Sequence, residues 1–169
     1  EHEYKVMGLA PYAKSFAQKD VADFFRTFLK LDGIKFQRNT EIPDLYWHTL
    51  KNLRHARFDT IAGGLQEVCE DFLVKWVTNA IQTTSYSKVT FSGGVSLNVK
   101  ANLLLSECPN LEHLFIPPGA GDESLPIGAT WALMDRLCPN GKHRKSIEPL
   151  MSAYLGPNFS KQDIDEFHS

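Results

Sequence analysis

Two kinds of apolar pattern alternate along this chain: one-sided stripes at three- and four-residue spacing, and short runs of β-branched and aromatic residues. Residues 1–14 begin as an amphipathic turn stopped by Gly8 and Pro11, which predicts a helix followed by a shaped loop. From Asp20 to Lys30, Val21, Phe24, Phe25, Phe28 and Leu29 share one helical face, with Asp20 as N-cap and a stripe of Phe suited to a core. Gly33 is expected to end that helix, and Ile34–Arg38 alternates like a short half-buried strand. Residues 42–55, with Pro43, Trp47 and His48, read mostly as loop with some helix.

The longest periodic segment, Ile61–Thr83, predicts a long helix capped by Asp59 or Thr60, its broad apolar face lying on a sheet. Gly63 and Gly64 each cost such a helix about 1 kcal/mol relative to alanine. Either backbone or ligand approaches closely there, or the first turn is loose.

Lys88–Ser92 is a strand-like run leading into Gly93 and Gly94, and a helix is expected from Val95 to about Ser106, with Asn98 in its first turn. Unpaired N–H groups and the positive end of the helix dipole at such a junction suit a phosphate, although a turn needing only room for its backbone carries the same glycines. A second strand, His113–Ile116, enters the loop Pro117–Asp122, and Leu125–Leu137 is helical. The order predicts an α/β fold, parallel strands covered by helices, with both glycine turns on the sheet edge where strand C-termini meet ligands. Residues 139–149 are polar and broken by Pro and Gly, as in a linker, and Ser160–Asp163 resembles a capping box opening a further helix.

With 169 residues, 43% of them hydrophobic, and 11 Phe, the chain can bury a core of single-domain size. A net charge of -2 and dispersed basic residues, His143-Arg144-Lys145 being the one tight cluster, argue against a nucleic-acid face or a membrane-surface patch. Cys69, Cys108 and Cys138 are odd in number and widely spaced, so buried thiols in a reducing compartment are expected rather than a zinc site or disulfide framework. No apolar run approaches the roughly 20 residues of a membrane span, and the start lacks a signal peptide's features, so a cytoplasmic location is expected. The charged opening without Met suggests a piece of a longer protein.

Asp122, between Gly121 and Glu123, suits a cation or ribose contact, or a helix N-cap. Asn98 suits either a ligand contact or a solvent-facing helix start. No His-x-x-x-His pair, Walker A loop, Rossmann fingerprint or Gly-x-Ser-x-Gly elbow occurs, and Ser92 and Ser96 read as turn and helix-start hydroxyls.

Four stretches together resemble the O-carbamoyltransferases of the nodulation-protein and tobramycin-carbamoyltransferase type. They are Glu3–Tyr12 (EYKVMGLAPY), Arg57–Ala62 (RFDTIA), Ser92–Asn98 with Lys100 and Asn102, and Pro117–Asp122 with Ile127-Gly128-Ala129. Tyr154–Pro157 also resembles the start of that family's C-terminal domain.

The resemblance implies half of an actin-like ATPase (RNase H-like) domain over residues 1–138, a linker over 139–153 and the beginning of the C-terminal domain over 154–169. It also implies a chemistry in which carbamoyl phosphate and ATP give a carbamoyl adenylate, whose carbamoyl group passes to an acceptor hydroxyl. By the same resemblance, Gly93, Gly94 and Gly121 form a backbone cradle for ATP, Asn98 contacts the nucleotide, and Asp122 binds a divalent, iron-like metal. The family's paired metal histidines, its first phosphate loop and its carbamoyl-phosphate pocket have no counterpart in these residues. The chain alone is therefore expected to be inactive. A non-catalytic nucleotide-binding or interaction module of the same fold, or another transferase of that superfamily, are the alternatives. Ala13, where the family often has Gly, and Glu123–Pro126, where it often has small residues, depart from the pattern.

Overall fold

The computed structural model describes residues 3–138, 141 and 156–167. The chain divides into two compact units, Glu1–Asp122 and Glu123–Ser169. The linker expected over 139–153, apart from Gly141, lies outside the described residues, as do Tyr154 and Leu155, the first two residues of the unit expected over 154–169.

In the first unit, α1 (Glu3–Leu9) runs into a 3-10 turn (Ala10–Tyr12) with Pro11 near its start, where a missing N–H costs nothing. Helix α2 spans Ser15–Arg26 and follows an extended Lys14 with no side-chain cap, so its N-cap lies six residues before the expected Asp20, which lies inside the helix. Leu29 leaves the helix too: β1 (Leu29–Asp32) and β2 (Lys35–Arg38) form an antiparallel hairpin. Gly33, read as a helix stop, turns that hairpin with a φ of 58°. Helix α3 covers Leu45–Leu53, capped by Asp44 Oδ1 accepting the Trp47 N–H at 3.0 Å.

Helix α4, Phe58–Thr84, is the long helix the periodicity predicts. Its N-cap is Arg57 rather than Asp59 or Thr60. Asp59 sits in the first turn, where Arg57 grips both carboxylate oxygens and, with the Thr60 N–H, holds its carboxyl below the usual range.

Val68 on one side of α4 joins Val21, Ala22 and Phe25 of α2 in a core flanked by Phe24, Phe28 and Phe72. Leu73, Val77 and Ile81 build a second core with Phe91, Ala101, Leu105 and Cys108. Arg26 bridges α2 and α4, donating to Glu67 Oε1 at 2.8 Å and Asp71 Oδ2 at 2.6 Å as well as to Asp23. These carboxylates raise its pKa above the ordinary value. Partly exposed pairs of this kind contribute only about 1 kcal/mol or less each, so the two apolar cores carry the packing.

The glycines of α4 mark close approach, not a loose turn. A Cβ at Gly64 would stand 2.7 Å from Val21 Cγ1 and 2.9 Å from the backbone nitrogen of Ala22, and one at Gly63 would strike Ala13. Strands β3 (Lys88–Thr90) and β4 (His113–Phe115) pair in parallel, joined through α5 (Val99–Ser106). Helices α4 and α5 cover one face of this two-stranded sheet through Val89 and Leu114, while Thr90 and Phe115 are exposed on the other. The chain is thus mixed α/β, mostly helical, with one small parallel sheet.

The second unit holds α6 (Leu125–Leu137), matching its predicted bounds, and α7 (Lys161–Phe167). Helix α6 has no buried residue, and Trp131 is 55% exposed. The capping box at α7 forms: the Ser160 N–H donates to Asp163 Oδ2 at 2.7 Å and the Asp163 N–H to Ser160 Oγ at 3.2 Å.

Gly64→Ala is expected to destabilise the fold by about 1–3 kcal/mol through overpacking, against a gain of about 1 kcal/mol in helix propensity. Gly8→Ala, whose Cβ meets nothing within 4 Å, should be neutral or stabilising. Urea unfolding of the two variants beside the parent checks this opposition.

Candidate functional site

The turn after β3 is built by backbone constraint and one buried hydroxyl. Gly93 adopts φ 102° and ψ 163°, a region L side chains rarely enter. The chain then forms a 3-10 turn over Gly94–Leu97 and becomes helical only at Val99, not at Val95 as the sequence suggests. Ser96, 1% exposed, donates its hydroxyl to the Gly93 carbonyl at 2.7 Å, and its carbonyl accepts from Asn102 Nδ2 at 2.6 Å. Ser96 is therefore a turn hydroxyl, as expected.

The two glycine-rich turns meet. The Phe91 N–H donates to the Phe115 carbonyl at 2.9 Å, extending the ladder beyond the strands, and the Gly93 N–H donates to the Ala120 carbonyl at 2.7 Å. Ala120 is buried at 1% exposure, so the Pro117–Asp122 loop is anchored one residue before Gly121 and two before Asp122. Both turns thus open at the C-terminal ends of parallel strands.

Asn98 lies at the N-cap of α5, one step outside its predicted place, and its side chain is fully engaged. Its Oδ1 accepts from the Ala101 N–H at 3.1 Å and from Gln66 Nε2 at 3.0 Å, while its Nδ2 donates to Gln66 Oε1 at 2.8 Å. Gln66 Nε2 also donates to Glu70 Oε1 at 2.7 Å, and Lys100 Nζ approaches the same oxygen at 3.2 Å. Gln66 and Glu70 were not singled out by sequence. Three residues after Gly63, Gln66 looks like an ordinary polar position, yet it is 5% exposed.

A cavity of about 250 Å³ lies beside this cluster, lined by Ala10, Pro11, Ala13, Gln18, Gly63, Gln66, Glu67, Glu70 and Lys100. The larger recess, about 420 Å³, lies among α2, β1 and α4, with Arg26, Asp71 and Lys75 in its wall. The smaller one bears on the site, because there the Ala-Pro-Tyr stretch meets Lys100, which follows the Gly-Gly turn.

The family model for the carbamoyltransferase N-terminus matches residues 1–131. The chain belongs to that family. It is 26% identical to the protein sll1178 of Synechocystis over 98% of this chain and 29% of that protein's length. It is 25% identical to the nodulation protein NolNO of Sinorhizobium fredii, over 92% of this chain and 23% of the relative. Nodulation protein NolO of Bradyrhizobium diazoefficiens is also 25% identical, over 97% of this chain and 30% of its own length. The chain therefore spans less than a third of each of these relatives, and the resemblance read from the four sequence stretches is confirmed at the level of the family.

Asp122 is exposed at the start of the 3-10 turn Asp122–Ser124. Among the described residues no group of three or more His, Cys, Asp or Glu stands close enough to hold a metal ion, so this donor set does not by itself fit a metal centre. No helix among the described residues is long and apolar enough to cross a membrane.

All three cysteines are free, with Cys108 buried, Cys69 half-buried and Cys138 exposed rather than buried as expected. Burial pushes the Cys69 thiol up, with Glu70 adding to it, and burial likewise raises Cys108. Because the thiolate is the nucleophile, Cys69 and Cys108 should react with iodoacetamide at pH 7.5 at least tenfold more slowly than Cys138, as mass spectrometry of the alkylated peptides would read. A raised folded pKa favours the protonated native form. Its contribution is complete below the unfolded value near 8.5 and is lost as pH rises through the folded value, so urea midpoints should fall on the alkaline side.

Proposed function

We propose that this chain is one half of the catalytic core of an O-carbamoyltransferase with an actin-like ATPase fold, acting in the cytoplasm as part of a longer polypeptide. The observation that supports it most directly is the hydrogen bond from the Gly93 N–H to the Ala120 carbonyl, which joins the two glycine turns at one sheet edge. In this reading Gly94 and Gly121 present backbone to the phosphates of ATP, and Gly93, whose N–H is bonded to the Ala120 carbonyl, shapes the cradle. Gly94 is compatible with it, because among the described residues nothing stands within 4 Å of its Cβ position and a group could approach its backbone.

In the reaction, water releases phosphate from carbamoyl phosphate to leave carbamate, and a carbamate oxygen attacks the α-phosphorus of ATP, forming carbamoyl adenylate as the bond to pyrophosphate breaks. An acceptor hydroxyl then attacks the carbamoyl carbon and AMP leaves. This chain would hold the phosphate end of the nucleotide against the two turns. Asn98 would contribute through the position of its backbone, since its amide is already bonded to Gln66 and Ala101. Asp122 would give one carboxylate to a divalent, iron-like cation whose remaining ligands lie outside these residues; that cation would stabilise phosphate charge. The match to the carbamoyltransferase N-terminus family supports carbamoyl transfer over other transferase reactions.

With full-length protein, ATP and carbamoyl phosphate, pyrophosphate release is expected, falling by about 100-fold or more in Asp122→Ala. An unchanged rate would remove Asp122 from the site. ATP binding by calorimetry with no pyrophosphate released under any condition would favour a non-catalytic nucleotide-binding module instead.

A further inference from the structure

One polar side chain on α4 is buried against the turn without belonging to either glycine loop. Gln66 is 5% exposed and exchanges two hydrogen bonds with Asn98, at 2.8 and 3.0 Å. The direction of both amides is fixed by the backbone. The Ala101 N–H needs an acceptor, so Asn98 must turn its Oδ1 toward α5, which aims its Nδ2 at α4. That Nδ2 needs acceptors and finds Cys69 Sγ at 4.0 Å and Gln66 Oε1 at 2.8 Å, so Gln66 turns Oε1 there and directs Nε2 toward Asn98 Oδ1 and Glu70 Oε1. Lys100 closes the ring from α5 by pairing with Glu70 at 3.2 Å. The start of α5 is thereby held at two successive turns of α4, residues 66 and 70.

We propose that Gln66 is a positioning residue for the glycine turn, setting through Asn98 the point at which the 3-10 segment Gly94–Leu97 becomes helix. This rests on the reading of that turn as the phosphate-facing wall of a nucleotide site. A cap alone does not require a partner on α4, because an N-cap Asn is satisfied by its own helix. The second amide adds a lateral constraint: Asn98 is held at an extended φ of -77° and ψ of 92°, and Ser96, two residues back, is bonded to the Gly93 carbonyl. Displacing Asn98 therefore displaces Gly94 and Val95, the residues whose N–H groups begin the turn. Replacing Gln66 with an apolar residue of similar size leaves Asn98 Nδ2 with the weak Cys69 Sγ acceptor at 4.0 Å in place of an amide oxygen, and the loss is relieved by moving the turn rather than by losing the core.

The test uses full-length protein and three variants: Gln66→Leu, which removes both bonds; Gln66→Glu, which keeps the acceptor for Asn98 Nδ2 but turns a carboxylate oxygen toward Glu70 Oε1 and Asn98 Oδ1; and Asn79→Leu, which removes a bond from the same helix to the Gly33 carbonyl. Gln66→Leu is expected to raise the KM for ATP about tenfold or more with kcat changed less than about threefold. Gln66→Glu should raise it at least as much, and Asn79→Leu should leave the KM for ATP unchanged. Equal rises in the KM for ATP in Gln66→Leu and Asn79→Leu, or no rise in either, would overturn the proposal. Amide hydrogen exchange gives a second readout that needs no activity. The Ala101 N–H should exchange at least tenfold faster in Gln66→Leu while α2 amides stay protected, and unchanged exchange at Ala101 would overturn the proposal. If Gln66→Leu does not fold, Gln66→Met, unbranched and without an amide, carries both measurements. Wild-type protein that releases no pyrophosphate would count against the carbamoyl-transfer reading alone, because the exchange result still decides whether Gln66 holds the turn.

Discussion

The first unit is organised by one strip along α4, on which Gly63, Gln66, Glu67 and Glu70 recur at helical spacing. At its upper end the absence of side chains lets the Ala13 region and α2 approach α4 more closely than any Cβ would permit. Below that, Glu67 receives Gln18 and Arg26 from α2, while Gln66 and Glu70 receive Asn98 and Lys100 from α5. The same strip therefore reads two neighbours at once. Magnitudes decide which part matters most. Each glycine costs the isolated helix about 1 kcal/mol, and the partly exposed ion pairs return little, so the close packing of Val21, Ala22 and Val68 has to offset that cost. The polar members of the strip contribute direction more than energy: amide pairs fix which turn of α4 faces which residue of α5.

Much of this fold is legible in the amino-acid sequence because its periodic signals are long. The 27-residue helix α4 and the bounds of α6 follow from apolar spacing, and the parallel pairing of β3 with β4 follows from the strand, turn, helix, strand order. The hairpin was hidden for a physical reason. Phe28 and Leu29 continue the three- and four-residue stripe of α2, so periodicity carries the helix past its true end. What breaks it is tertiary: Trp76 Nε1 donates to the Ile34 carbonyl at 2.9 Å and Asn79 Nδ2 to the Gly33 carbonyl at 2.7 Å, while the Phe36 ring meets Phe72 and Trp76. Those partners lie more than thirty-five positions away, beyond the reach of any local window.

The candidate site divides along the same line. Its glycines, its aspartate and Asn98 stand out as local exceptions in the sequence, and the bond between the two turns follows from topology. Gln66 and Glu70 do not stand out, because a Gln and a Glu on a helix ordinarily face water. Burial alone distinguishes them, and burial depends on where α5 lies.

Gly93 and Gly94 separate the two explanations that the sequence left joined. A turn that merely needs conformational freedom accounts for Gly93, whose φ of 102° excludes ordinary side chains. It does not account for Gly94, which has no positive φ and no neighbour that a Cβ would touch. Glycine there costs chain entropy on folding without any return inside these residues. In the proposed reading a group approaching the bare backbone would supply that return, and the N–H groups of Gly94 and Val95, which begin the 3-10 turn and so lack acceptors within it, would suit an anionic one. The steric account thus covers one glycine, and the second weighs toward a phosphate.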